Sequence, residues 1–471
     1  MARQSDQQVT FADVEMRSQG VVLERTLQGI TAFLDRHADL VKKVQADLVR
    51  GLKRPKTGRD GTSAAQVLRS FILGRIKNWD LRELRERIAD GFSLRLFTHF
   101  YSRPVPNHQT FNRNFNRLQP ETIRFLNDAV VDAAVEMGLE DGGKLRTDTT
   151  VVETNIHFPT DSGLLWDVVR VHTRLVKELR KELGERLDGD FPDRTRRARR
   201  RMQEISRMTS RTRTRQQVRK YRDLMQVTEE VMQKAAALAV KSKALLDRLD
   251  PIQAAIVNAL LAQIEEFSRL GQRVVDQTRR RILGGEQVPV EEKLFSIFEP
   301  HTDLIIRGKV RTPVEFGHKV RLVESGKGLI TDYEVLKGNP SDQDQLKPAL
   351  NNHQDRFGTA PRMVAADRGF HSQDNVAACE QAGVIIECIP QRGGQRTAAR
   401  EAHEKSRAFK KGQRFRAGIE GRISVLFRGR GMKRCLRHGL DRFEAFVGAA
   451  VLANNLLVLA ALLEKKHRRA A

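Results

Sequence analysis

Three acidic residues, far apart in the chain, are the side chains best suited to chemistry: Asp148, Asp367 and Glu420. Asp148 lies in KLRTDTTVVETNIHFPTDSGLLW, which opens as a Thr- and Val-rich strand-like run. Asp367 ends the strand-like PRMVAA and precedes RGFHS, and Glu420 sits on the helical RFRAGIEGRISVLFRGRG. Two carboxylates at strand positions and a third on a later helix can converge at one sheet edge. Hard oxygen ligands of this kind suit Mg²⁺ or Mn²⁺. A pair of such ions activates a water or a 3′-hydroxyl and stabilises the leaving oxygen of an in-line displacement at phosphorus. A lone Asp on a strand is usually a structural hydrogen-bonding group, so the joint spacing carries this expectation.

Other polar residues compete for roles in the same segments. Glu153 lies five residues after Asp148, so strand alternation puts it on the opposite face. Glu299 and Asp303 stand near a strand boundary and are expected to support the site at most. His318, at the start of a strand, reads as structural. His371, four residues after Asp367, reads as shaping the turn into the next helix, with a phosphate or water contact as the sharper alternative. Trp166 is expected to be buried, although stacking on an unpaired base is a use such a ring can serve.

Charge narrows the partner. The chain of 471 residues carries 84 Lys and Arg against 59 Asp and Glu, a formal net charge of +25. An excess of that size favours a polyanion, because each phosphate contact releases counterions. Within Arg194–Arg222 stand thirteen basic residues and one acid, Glu204. Arg194, Arg196, Arg197, Arg199, Arg200, Arg201, Arg211, Arg213 and Arg215 are therefore expected to contact DNA phosphates, against the plainer reading of a solvated helical arm. With 39% hydrophobic and 30% charged residues, the composition is that of a globular protein. The three cysteines form no CxxC pair, which excludes a zinc knuckle or disulfide scaffold and fits a reducing cytosol. MARQSDQQVT lacks the apolar stretch of a signal peptide. Phe446–Leu463 approaches a membrane span in length, but Asn454 and Asn455 at its centre favour a helix buried against a sheet.

The elements that must position these residues come in blocks. Residues 1–140 read as short helices, with a capping pattern at Asp80–Glu83 and Pro120 opening a longer helix that Gly138 ends. This block is expected to bind DNA or dimerise. Strand character starts at Lys144, and 141–163 is taken as the first part of a core. Residues 164–287 read as a basic, all-helical insertion, and 288–464 as the rest of the core, followed by a basic tail at 465–471. In that second part LFSIFEP, TDLIIRGKV, GHKVRLVES and GLITDYEVL read as strands, with a hairpin at Gly326 and Gly328. A helix over 342–357, the strand ending at Asp367, a helix over 372–382 and the strand VIIECIP follow. QRGGQRTAAREAHEKSRAFKKGQ reads as disordered and leads into the Glu420 helix.

This order (strand with Asp, paired strands, helix, strand with Asp, helix, strand, helix with Glu) is that of an α/β RNase H-like fold. The chain resembles the DDE transposases of bacterial insertion sequences, close to the ISNCY-like group. The resemblance is carried by LRSFILGRIKNWDLRELRERIADGFSLRLF, RTDTTVVETNIHFPTDSGLLWDVVRV, KLFSIFEPHTDLIIRGK, EFGHKVRL, GNPSDQDQL, AADRGFHSQDN and FRAGIEGRISVLFRGRGMKRCLRHGL, in that order. It implies that Asp148, Asp367 and Glu420 are catalytic and hold two Mg²⁺ or Mn²⁺ ions. It implies cleavage of double-stranded DNA at terminal inverted repeats and joining to target DNA, within a homodimer. The family's final helix carries a Tyr, an Arg, the Glu and a Lys. Arg416 and Glu420 match, whereas Gln413 and Phe427 stand at the Tyr and Lys positions. Arg428, one residue late, lies roughly 80° around the helix from Glu420. A DNA-binding protein that does not cut, and a metal-dependent nuclease of the same fold, are the alternatives.

Overall fold

Apolar residues at helical spacing, interrupted by good caps, build the first third of the chain. The computed structural model describes residues 11–18, 20, 22–53, 61–208, 215–306 and 313–470. Eight helices come first: α1 (Phe11–Ser18), α2 (Arg25–Arg36), α3 (Ala38–Val49), α4 (Ala64–Lys77), α5 (Leu81–Asp90), α6 (Phe92–Thr98), α7 (His108–Phe115) and α8 (Pro120–Glu136). Ser63 and Gln66 satisfy each other's backbone amides in a capping box at α4. Asp80 accepts from the amides of Arg82 and Glu83 at 2.7 and 2.9 Å and so starts α5. Pro120 occupies the first turn of α8, where its missing N–H costs nothing.

The long strand β1 (Lys144–Thr154) comes next, and then four helices: α9 (Asp161–Leu183), α10 (Thr195–Ser206), α11 (Arg215–Lys243) and α12 (Pro251–Thr278). The remainder runs β2 (Asp303–Ile306), β3 (Val314–Ser325), β4 (Ile330–Val335), α13 (Leu346–Phe357), β5 (Met363–Ala365), α14 (Gln373–Ala382), β6 (Ile386–Cys388), α15 (Ala398–Lys405), α16 (Arg407–Gly429), β7 (Arg434–Cys435) and α17 (Leu440–Ala470).

Two expectations about local structure fail. LFSIFEP is not a strand but a series of bends. There the Ser296 hydroxyl accepts from the amides of Phe298 and Glu299, so the backbone bonds locally instead of to a neighbouring strand. The basic segment before Glu420 is helical, not disordered. Thr397 caps α15, and Arg400 reaches Glu387 and Glu404 at 2.7 and 3.0 Å, anchoring that helix to the segment around β6.

The chain forms two compact units, one of 1–153 with 317–471, the other of 154–316. In the first, the strands lie in the order β4–β3–β1–β5–β6. β3 is antiparallel to both β1 and β4, whereas β5 runs parallel to β1 and β6 parallel to β5. One sheet face buries Val152, Val320 and Leu322 against Leu426 of α16 and Phe443 and Val447 of α17. The other buries Leu145, Val323 and Val364 against Leu346 and Leu350 of α13.

No break in packing separates residues 1–140 from the rest of this unit. Leu27, Leu68, Phe111 and Leu126 share one core with Leu452, Leu456 and Leu459 of α17. Leu440–Arg469 has the length and hydropathy of a membrane span, yet most of its apolar window is buried. Asn455 spends its polarity inside, accepting from the Ile330 amide and donating to the Ile330 carbonyl, both at 2.9 Å.

The second unit is a helical body around Leu165, Val168, Leu175, Leu224, Val231, Val257 and Val274, drawn from α9, α11 and α12. Its helices follow β1 in the chain. The limits of the unit fall at 153/154 and 316/317.

Candidate active site

Backbone register brings the two aspartates together. β1 and β5 pair in parallel with Arg146 level with Ala365. Two residues further along, Asp148 continues β1 while Asp367 stands just past the end of β5, near enough for its charge to act on Asp148. Paired residues of parallel strands point to the same face. Arg146 and Ala365 face α16, as shown by the bond from Arg146 to the Phe415 carbonyl and by the packing of Ala365 with Phe409. Asp148 therefore faces α16 as well.

That crowding is visible in the electrostatics. Burial pushes the Asp148 carboxyl up to about 6, and the charges of Asp367 and Asp342 act in the same direction. The Thr149 amide and the Arg416 guanidinium oppose the rise. Asp367 accepts from the Gly369 amide at 2.6 Å, which fixes its carboxylate at the mouth of the turn after β5. A Cβ on Gly369 would stand 2.8 Å from Oδ1 of Asp367 and 3.2 Å from Oδ2 of Asp342, so a larger residue there would push the two carboxylates aside.

Asp342 is the residue that sequence reasoning missed. It accepts from the Thr149 hydroxyl at 2.8 Å and pairs with Lys319 at 2.7 Å. GNPSDQDQL holds two acids in one tight turn, Asp342 and Asp344, and nothing in its composition says which of them faces the sheet.

α16 carries the third acid across the sheet and is fastened at several points. A Cβ on Gly412 would stand 2.1 Å from Cys388 Sγ, so the helix backbone lies directly on β6. Gln413, at the position where the related signature has Tyr, donates to the Ala366 carbonyl at 3.3 Å and also to the Cys388 carbonyl. It thus ties α16 to the ends of β5 and β6. Further along, Glu324 is completely buried and takes both Arg146 of β1, at 2.7 Å, and Arg422 of α16, at 2.9 Å. Arg422 also donates to Asn454 of α17 at 2.9 Å.

On the helix so fixed, Arg416 is mostly buried and donates to Glu420 Oε1 at 2.9 Å, one turn away. Glu420 itself is 69% exposed. Arg416 thus pairs with the third acid while its charge also acts on Asp148. Among the described residues, no three His, Cys, Asp or Glu side chains stand in a metal-holding arrangement. Arg428 is exposed in the last turn of α16.

The remaining candidates have structural partners. Glu153 pairs with Arg434 at 2.5 Å. His318 is buried edge-on to Phe443. His371 is buried just before Ser372, which caps α14. In the helical unit, Glu299 is buried and pairs with His301 at 2.8 Å. Asp303 begins β2. Trp166 is half-buried, with Arg170 4.9 Å from its ring centroid.

The basic arm is less bare of acids than its sequence suggests. Asp223, one residue past the stretch, pairs with both Arg197 and Arg201. Glu204 takes Arg201 at 2.8 Å and Lys220 at 3.2 Å. Arg194 is half-buried at the start of α10. Arg196, Arg199, Arg200 and Arg215 are exposed and hold no ion pair among the described residues. Arg211 and Arg213 lie outside the described residues.

A half-buried aspartate on β1, a second just past the parallel neighbour β5, and a glutamate on the helix crossing them are side chains of the kind a metal-dependent phosphoryl-transfer core uses. Comparison with known families agrees. Residues 22–117 match a transposase domain (DUF772), and residues 315–456 match a transposase DDE domain. The chain belongs to the insertion-sequence DDE transposases. A domain of this kind implies an RNase H-like core, and the mixed sheet agrees with it. Asp367 and Glu420 fall inside the DDE match, and Asp148 precedes it. No curated protein and no solved structure matches the chain.

Proposed function

We propose that the protein cuts DNA at the terminal inverted repeats of its own element and joins the freed 3′-hydroxyl ends to target DNA. On this reading it is an enzyme of the ISNCY-like group, acts as a homodimer, and carries its helical unit as an insertion in the catalytic core. The observation that supports the reading best is the parallel pairing of β1 with β5 beneath α16, together with the action of the Asp367 charge on Asp148.

The donor set fits a divalent cation. Two carboxylates repelling each other in a poorly solvated site, one of them pushed up to about 6, are relieved by a 2+ charge between them. Asp148 and Asp367 would hold Mg²⁺ or Mn²⁺, and Glu420 would complete the set by turning from Arg416. When bound, two such ions supply Lewis acidity and lower the pKa of the attacking water or 3′-hydroxyl. The chain's own residues do the rest. Gly369 leaves room between carboxylates, Lys319 holds Asp342 in place, and Gln413 sets the height of α16. Arg416, released from Glu420, is placed to hold a phosphate oxygen.

The test is cleavage of supercoiled DNA carrying the element's end, with Mg²⁺ or Mn²⁺. Asp367→Asn is expected to lower cleavage by about 10³-fold or more while DNA binding persists, since the loss falls on the chemical step. Cleavage that survives the substitution sinks the metal assignment. Joined products distinguish a transposase from a nuclease of the same fold, and binding without cleavage by the wild type would leave only a DNA-binding role.

A further inference from the structure

Arginines buried in the first unit mostly have a carboxylate. Arg69 has Asp35, Arg146 and Arg422 share Glu324, Arg321 has Asp332 and Glu334, and Arg400 has Glu387. Five others do not follow this pattern: Arg95 and Arg117, whose guanidiniums go to main-chain carbonyls, and a group of three, Arg75 near the end of α4 with Arg430 and Arg437 on the connection between α16 and α17. Among the described residues, none of the three holds an ion pair.

Their neighbourhood is tightly built. A Cβ on Gly431, at φ +64°, would stand 2.6 Å from Asn78 Oδ1, so the connection crosses the end of α4 where only glycine fits. Arg430 donates to the carbonyls of Ile76 and Gly429, Arg75 to the Phe446 carbonyl at 3.0 Å, and Arg437 to Asn116 Oδ1 at 3.1 Å. The Arg75 guanidinium also stands 4.7 Å from the Phe446 ring centroid. These bonds tie α4 to the connection and to α17, and the connection to the end of α7, but they use only terminal nitrogens. The Nε atoms of Arg75 and Arg430 are buried with no hydrogen-bond partner. Burial holds all three arginines below their ordinary range, Arg75 at about 9, and the charge of Arg437 adds to the effect on Arg75. Exposed Lys433 and Arg442 lie on the same connection or just past it, and Arg434 beside them is taken by Glu153.

Structural clamps alone leave unexplained why positive charge is concentrated here without an acid. Like charges gathered in a poorly solvated place repel one another. An anion at the terminal nitrogens offsets that repulsion, and Arg is the side chain whose forked donors match phosphate oxygens. We infer that Arg75, Arg430 and Arg437 form a seat for a phosphate group, occupied by a backbone phosphodiester of the DNA the protein works on, with Lys433 and Arg442 flanking it. This rests on the reading that the protein acts on DNA.

The test is fluorescence anisotropy of a labelled duplex carrying the element's end, over a salt series, with the full-length protein. Arg437→Gln is expected to weaken binding about tenfold and to reduce the log–log salt slope by about 1, the value for one lost phosphate contact. Arg25→Gln, at an exposed ion pair with Glu464, is the control and should leave the slope unchanged. Arg75→Met should repeat the Arg437→Gln result, and if it fails to fold, Arg437→Gln decides alone. An unchanged slope in Arg437→Gln, with tight binding by the wild type, overturns the seat but leaves the DNA reading intact. No duplex binding by the wild type overturns the DNA reading itself. Inorganic phosphate that raises the wild-type melting temperature, but not that of Arg437→Gln, while the duplex slope stays the same, assigns the seat to free phosphate and overturns the DNA part.

Discussion

The sheet beneath α16 and the basic arm of the helical unit use charge in opposite ways. In the arm, arginines are numerous and exposed, and those that touch anything find carboxylates: Arg197 and Arg201 share Asp223, while Glu204 gathers Arg201 and Lys220. In the core, charged groups are few and poorly solvated, and several are left in conflict. Asp148 sits among Asp367, Asp342 and Arg416 with its carboxyl raised to about 6. A tally of basic residues marks the arm. Unrelieved electrostatic strain marks the core, and on the proposed reading a bound cation offsets the stability that this strain costs.

The contrast can be broken at its firmest point first. Glu324 is fully buried between Arg146 and Arg422. Glu324→Gln leaves two guanidiniums without an acid and is expected to cost about 3–5 kcal/mol in chemical denaturation. A loss under about 1 kcal/mol would show that this network does not hold α16 on the sheet.

A second test concerns the conflict at Asp148. Its raised folded-state value means that the protonated form suits the fold. The group's contribution to stability is therefore full at low pH and is lost as pH rises from near 4 through about 6. In metal-free buffer at pH 7.5, Asp148→Asn is expected to be more stable than wild type by about 2–3 kcal/mol, and the gap should fall to about half at pH 5. Equal stability at both pH values would remove the conflict from the account.

The smallest effects separate the two kinds of arginine in the arm. Arg199→Gln with Arg200→Gln should lower the salt slope of DNA binding by about 2. Arg197→Gln with Arg201→Gln should leave that slope alone and cost no more than about 1 kcal/mol of stability, because their partners are already on the protein. The reverse ranking would show that the pairs open when DNA binds.

Much of the site was legible before any fold was in view. Asp148, Asp367 and Glu420 stood out through the segments around them, and the order of strands and helices gave the two aspartates a common edge. Asp342 did not stand out, because a tight turn with two acids has no periodicity to say which one turns inward. The helix at Ala398–Lys405 was hidden for another reason. Its glycine-rich approach and dense charge read as disorder, and its stability comes from Arg400 reaching across to Glu387. Arg75 was invisible as well, since an arginine on an apolar helix looks the same whether or not an acid awaits it.

Sequence by itself determined the family, most of the helical and strand-forming segments, and the chemical kind of the three acids. These depend on side-chain type and short-range spacing, which the chain carries locally. Tertiary structure decided which charges are paired. It gave Asp223 to two arginines of the arm and Arg416 to Glu420, and among the described residues it brought no carboxylate to Arg75, Arg430 and Arg437. The reason is that a charge's energy depends on what the fold brings within a few ångströms and on how much water it leaves there, and neither is written in the neighbouring residues.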